Sequence, residues 1–187
     1  MTDKDSIFFK RQSKRSYLEK PVEPDKLDRI LEVVRWSPSC NNNQPWRFLV
    51  VTEPEQRKKF MECLPRGNQY AQKASVLFAV CAREEDDAVR EDDPVKYYQF
   101  DCGLAVMSLL LAATYEGLLA HPMAGYDAAK LHEAFDIPAE YHIMCIVAMG
   151  HRGPTEALEG KWREWDEAPR TRKAREEIFS FEKFSIS

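Results

Sequence analysis

The sequence predicts an α+β fold, a small sheet with helices packed around it and a long tail, on three observations. Short apolar runs at 48–52, 76–82 and 141–150, rich in Val, Ile, Phe and Met, have the look of buried strands. Leu27, Ile30, Leu31 and Val34 recur at helical spacing and form one apolar stripe. Residues 100–119 are apolar on nearly every face, the pattern of a helix buried by a second subunit as well as by its own sheet.

In chain order, Thr2 with Asp5 forms a capping-box pattern for a first helix through Gln12, with Ile7, Phe8 and Phe9 as its apolar surface. Pro24, pre-set for a first helical position, opens a second helix that ends at Trp36. Residues 36–46 follow as a polar loop. Pro38 and Pro45 push Ser37 and Gln44 out of helical conformation, and the three asparagines between them tolerate left-handed backbone. A surface helix is expected over 54–64. Residues 84–93 carry seven acids, Glu84, Glu85, Asp86, Asp87, Glu91, Asp92 and Asp93, and are expected to be a solvated loop without chemistry. Asp93-Pro94 starts the long helix, 118–121 is a short strand or connector, and Asp127 caps a helix running to Phe135 that Ile137-Pro138 closes. From 151 to 169 the chain is polar and expected to wrap the surface, so that 151–187 forms a tail on one domain spanning 1–187.

Composition narrows the function. A formal charge of -4 gives no reason to expect nucleic acid, although arginines cluster at 11–15 and 170–175 and keep a local anion site open. Five cysteines, an odd number without a Cys-x-x-Cys pair, argue for a reducing compartment and against disulfides or zinc. The four histidines have no metal spacing, and His132-Glu133 lacks a second His four residues on. There is no apolar signal core at the N-terminus and no run long enough to span a bilayer, so the expectation is a cytoplasmic protein with no membrane partner. Neither a Gly-x-Gly-x-x-Gly nor a P-loop is present.

Arg11-Gln12-Ser13-Lys14-Arg15 before the second helix, and Ser37-Pro38-Ser39-Cys40-Asn41-Asn42-Asn43-Gln44-Pro45-Trp46 after it, form an ordered pair of motifs. His121-Pro122-Met123-Ala124-Gly125-Tyr126-Asp127 and Arg170-Thr171-Arg172 follow in order. Together they resemble the nitroreductase-like FMN-dependent oxidoreductases over nearly the whole chain. The resemblance implies a nitroreductase-like fold: a small, mainly antiparallel sheet surrounded by helices in an intertwined homodimer, with FMN sites at the subunit interface. It implies an FMN-dependent NAD(P)H oxidoreductase, with NADH or NADPH as transient electron donor. Two electrons would pass by a ping-pong mechanism through flavin N5 to a small nitroaromatic, quinone or enone acceptor. The rival reading is a flavin-binding carrier or redox sensor without turnover.

The same resemblance assigns residues. Arg11, Gln12, Ser13, Arg170 and Arg172 match positions that hold the FMN phosphate and ribityl chain, where arginine's planar fork suits phosphate oxygens. Arg15 matches a basic residue beside N1 and O2 of the isoalloxazine, where reduction places negative charge. Pro38, Ser39, Cys40 and Asn42 match contacts made across the dimer interface, with Cys40 where many relatives have Ser. Pro122, Met123, Ala124 and Gly125 match the segment whose backbone amides face N5 and O4, Ala124 standing where some relatives have Glu. Asn68 is placed at the pyrimidine edge. Taken alone, Arg15 has a plainer reading as a surface salt bridge to Glu19, and the 122–126 segment as a strand-to-helix turn.

Overall fold

The computed structural model describes residues 5–90, 92 and 94–184. Its centre is a four-stranded antiparallel sheet in the order β1-β2-β4-β3, built from β1 (Arg47–Val51), β2 (Val76–Ala82), β3 (Leu119–Met123) and β4 (His142–Gly150). β2 is buried at every position, as its unbroken apolar run requires of an inner strand. It pairs with β4 in the register Phe78↔Val147, with a bulge at Val80/Cys81. β3 lies at an edge, which lets it carry Pro122 without losing an inner ladder bond.

Alternation along β2 divides the core in two. Leu77, Ala79 and Cys81 face one cluster with Tyr17, Phe60, Tyr70 and Leu131. Val76, Phe78, Val80 and Ala82 face the other, against α2 (Pro24–Arg35) and α4 (Tyr97–Tyr115). Each fully buried Phe, Ile or Leu in these layers contributes about 1.5–3 kcal/mol. α2 and α4 are tied at their ends by Arg29, whose Nε and Nη2 both reach Glu116 at 2.8 Å, and by Ser37 Oγ on Ser108 Oγ at 2.8 Å. α4 stops at Gly117, whose φ of 75° lets Leu118 N–H reach back to the Ala113 carbonyl at 2.8 Å. α3 (Pro54–Met61) and α5 (Ala128–Ala134) cover the first cluster, and Asp127 caps α5 by accepting from Lys130 N–H at 3.1 Å.

Several sequence expectations need correction. The first helix, α1, is only Ile7–Lys10 with Ser6 at its N-cap; Thr2, the other half of the expected box, lies outside the described residues. α4 begins at Tyr97, three residues after Pro94, and ends at Tyr115. The acidic segment is not wholly solvated: Asp87 is 8% exposed, because Asn43 and the Ala88 amide turn its carboxylate inward. The polar stretch after β4 contains a further helix, α6 (Gly160–Glu167). The expectation that α4 is covered by its own sheet and by a second subunit is not contradicted: within one chain one face of the helix is open. Phe100, Met107 and Tyr115, together with Gly103 and Leu111, form an open apolar stripe, and Phe100 is 60% exposed. Among the described residues no helix is long and apolar enough to cross a membrane.

Candidate functional site

Residues 10–17 run from the end of α1 along the β3 edge, where His121 Nδ1 lies 3.0 Å from the Lys14 carbonyl oxygen. Their first polar feature is an arginine cluster. Arg11 donates to Ser13 Oγ at 3.2 Å, and Arg170 bonds the Phe9 carbonyl at the end of α1. Partial burial, then repulsion from Arg170 and Arg172, lowers the Arg11 pKa from its ordinary value. Among the described residues none of these three arginines is paired with a carboxylate. Three uncompensated guanidiniums repel one another, and a dianion such as a phosphate monoester relieves that repulsion. The sequence places two of them 159 residues or more from the first. The fold brings them together.

Arg15 stands in different surroundings. It does not pair with Glu19; its partner is Asp166, at the end of α6. Asp166 Oδ2 accepts from the Arg15 backbone N–H at 2.8 Å, and Oδ1 accepts from Nη1 at 3.0 Å. Lys14 Nζ donates to the Asp166 carbonyl. The guanidinium lies 4.9 Å from the Trp165 ring centroid and 5.6 Å from that of Tyr70, within cation–π range of both. Tyr70 contacts His121 and Trp162 in turn, and burial pushes its hydroxyl up to about 12 and lowers the His121 pKa. Leaving one charge of so enclosed a pair without its partner costs about 3–5 kcal/mol.

Pro122 and Met123 close β3, and Ala124 and Gly125 form an exposed turn ahead of α5. Among the described residues, the Ala124 and Gly125 backbone amides have no acceptor. Asn68 is tied to this turn: its Nδ2 donates to the Gly125 carbonyl at 2.7 Å, and a Cβ at Gly125 would come within 3.0 Å of that nitrogen. Asn68, Tyr70, His121 and the segment from Arg11 to Arg15 therefore form one neighbourhood.

The loop after α2 lies elsewhere. Asn41, Asn42 and Gln44 have positive φ (49°, 58° and 52°), a shape held by Ser39 Oγ accepting from Gln44 N–H at 2.9 Å and by Gln44 Nε2 on the Asn42 carbonyl at 3.0 Å. Pro38 and Asn42 are exposed, Ser39 and Cys40 half-buried. From beneath, Asp101 Oδ2 accepts the Cys40 N–H at 2.7 Å and Asp87 Oδ1 accepts from Asn43 Nδ2 at 3.1 Å. Both carboxyls are buried, and among the described residues Asp87 Oδ2 has no hydrogen-bond donor. Burial, then the charge of the adjoining Asp87, raises the Asp101 pKa from the ordinary carboxyl value. Among the described residues no hydrogen bond or ion pair joins residues 37–44 to the arginine cluster or to Arg15. The loop follows α2 on the α2–α4 side of the sheet, while Tyr17 and Tyr70, beside Arg15, belong to the opposite cluster.

Sequence reasoning missed Asp166, Tyr70, Asp101 and Asp87. A lone acid in the otherwise apolar α4 is a signal that could have found Asp101. Trp162 and Trp165, three residues apart in a polar tail, could have found α6; nothing local marks Asp166 as the partner of Arg15. All five cysteines are free thiols, and burial pushes those of Cys81 and Cys145 up to about 11 and that of Cys102 to about 12.

A family model described as Nitroreductase family matches residues 9–86 and 64–151. A solved structure described as an oxidoreductase containing FMN is 30% identical, with a TM-score of 0.89 over 100% of this chain and 94% of that one. A provisionally named nitroreductase in complex with FMN from Desulfovibrio desulfuricans is 26% identical, with a TM-score of 0.76 over 96% of each chain. A protein of Archaeoglobus fulgidus, provisionally named an NADH dehydrogenase/NAD(P)H nitroreductase, is 29% identical over 149 residues, 78% of this chain and 83% of the relative.

Proposed function

The chain belongs to the nitroreductase family, and on that premise we propose that it is an FMN-dependent NAD(P)H oxidoreductase working as a homodimer. The observation that carries the reading is the gathering of Arg11, Arg170 and Arg172, with no carboxylate paired to them among the described residues. FMN, when bound, supplies two-electron chemistry at N5, between NADH or NADPH and a small nitroaromatic, quinone or enone acceptor.

The chain's residues divide the remaining work. Arg11, Gln12, Ser13, Arg170 and Arg172 hold the phosphate and ribityl chain. Arg15 presents a fixed positive charge to the N1–O2 edge, where it stabilises the reduced state more than the oxidised one. The Ala124 N–H would serve as the donor to N5, with Pro122, Met123 and Gly125 shaping the turn and Asn68, which bonds the Gly125 carbonyl, bracing it and standing at the pyrimidine edge. Pro38, Ser39, Cys40 and Asn42 complete the site of a second copy. The distance of that loop from Arg15 within one chain supports this, as does the open stripe on α4. Residues 151–187 act as the wrapping tail of one FMN-binding domain.

The experiment is direct. Purified protein should be yellow, release FMN on denaturation, and oxidise NADPH or NADH when an acceptor is added, followed by nicotinamide absorbance. Protein that is colourless and takes up no added FMN overturns the reading. Protein that binds FMN yet oxidises neither nicotinamide is a carrier or sensor.

A further inference from the structure

Asp166 is not among the residues that the family resemblance assigns, yet it makes the closest contacts of the one cation placed at the flavin edge. Its carboxylate is 3% exposed and spends both oxygens on a single residue, Oδ2 on the Arg15 backbone N–H and Oδ1 on Nη1. α6 thus supplies an anion and, through Trp165, one of the two aromatic walls that hold the guanidinium. Among the described residues Arg15 Nε and Nη2 have no acceptor, so the side of the fork away from Asp166 stays available.

A neutral acceptor would suffice to hold the Arg15 backbone. A carboxylate at 3.0 Å from Nη1 does something more: it cancels part of the charge the guanidinium presents on its other side. We propose that Asp166 is a positioning residue and counter-ion that sets how much positive charge Arg15 offers to the flavin, and thereby holds the flavin's reduction potential down. This rests on the reading of Arg15 as the cation at the N1–O2 edge. The aromatic walls matter to the sign of the effect. With Trp165 and Tyr70 both within cation–π range, the guanidinium keeps two contacts when the carboxylate is neutralised, so loss of the anion exposes charge rather than releasing the side chain.

The test is a redox titration of FMN-loaded protein in four forms: wild type, Asp166→Asn, Arg15→Gln and the double variant. Asp166→Asn should bind reduced relative to oxidised FMN about tenfold more strongly, a rise of about 30 mV for a two-electron couple. Arg15→Gln should lower the potential. In that background the guanidinium that Asp166 offsets is gone, so removing the carboxylate should shift the potential less than it does in the wild type. Should Asp166→Asn not fold, Asp166→Ser removes the same charge, keeps a hydroxyl acceptor and is read in the same way. A potential that is unmoved or lowered by loss of the Asp166 charge, while Arg15→Gln lowers it, overturns this inference alone. A potential unmoved by Arg15→Gln overturns the placement of Arg15 and this inference with it. Protein that takes up no FMN overturns both with the flavin reading.

Discussion

Asp101 holds the loop over residues 37–44 from beneath by accepting the Cys40 N–H. Its folded pKa is raised, first by burial, so the stabilisation is fully present below the carboxyl's unfolded value and is lost as pH rises through the folded one. Asp101→Asn keeps an acceptor for Cys40 N–H and should remove that pH dependence. Denaturant titrations of both proteins across the acid-to-neutral range check this; parallel curves would mean that Asp101 carries no such dependence. Asp101→Ala strands the Cys40 amide and should lower stability by about 1–3 kcal/mol. Arg172→Ala tests the other charged residue set. Losing one charge-assisted contact to a phosphate should weaken FMN binding about ten- to a hundredfold while leaving the melting temperature in place, measured by flavin fluorescence.

Among the elements, the start of the tail packs tightly against residues 16–17. Gly153 N–H donates to the Ser16 carbonyl at 2.9 Å, Tyr17 bridges Arg152, and a Cβ at Gly153 would come within 2.7 Å of Ser16 Oγ and 2.9 Å of the Tyr17 carbonyl oxygen. Gly153→Ala should therefore lower the melting temperature and, by prying residues 16–17 from the tail, loosen Arg15 from Asp166; thermal melts and the flavin potential together report both. Gly117 is a different case. Its Cβ direction is open, so Gly117→Ala meets only the left-handed backbone at φ 75°, a cost of about 1–2 kcal/mol to the end of α4. Denaturant unfolding with unchanged FMN affinity is the expected result.

For the whole molecule, the open stripe on α4 and the separation of the 37–44 loop from Arg15 make the same demand. A second copy would cover the first and complete the second. Light scattering should report a dimer at low micromolar concentration. Phe100→Glu, placing a charge on the most exposed apolar side chain of that stripe apart from Tyr115, should give a monomer with much weakened FMN binding. An FMN-saturated wild-type monomer would separate the flavin reading from the dimer.

By itself the sequence determined what depends on neighbours along the chain. Unbroken apolar runs marked β2 and β4, helical spacing marked α2, Pro24 and Asp127 marked the starts of α2 and α5, and the asparagines of 36–46 marked left-handed backbone that Asn41 and Asn42 adopt. Four motifs in order marked the family. Tertiary structure alone decided which charges meet. Arg11 joins arginines from the far end of the chain, Arg15 finds Asp166 rather than Glu19, and Asp87 leaves an acidic run to lie beside Asp101. The reason is physical. A backbone pattern is set by propensity and burial within a few residues, whereas the worth of a charge depends on the dielectric and the partner around it, and only the folded chain supplies both.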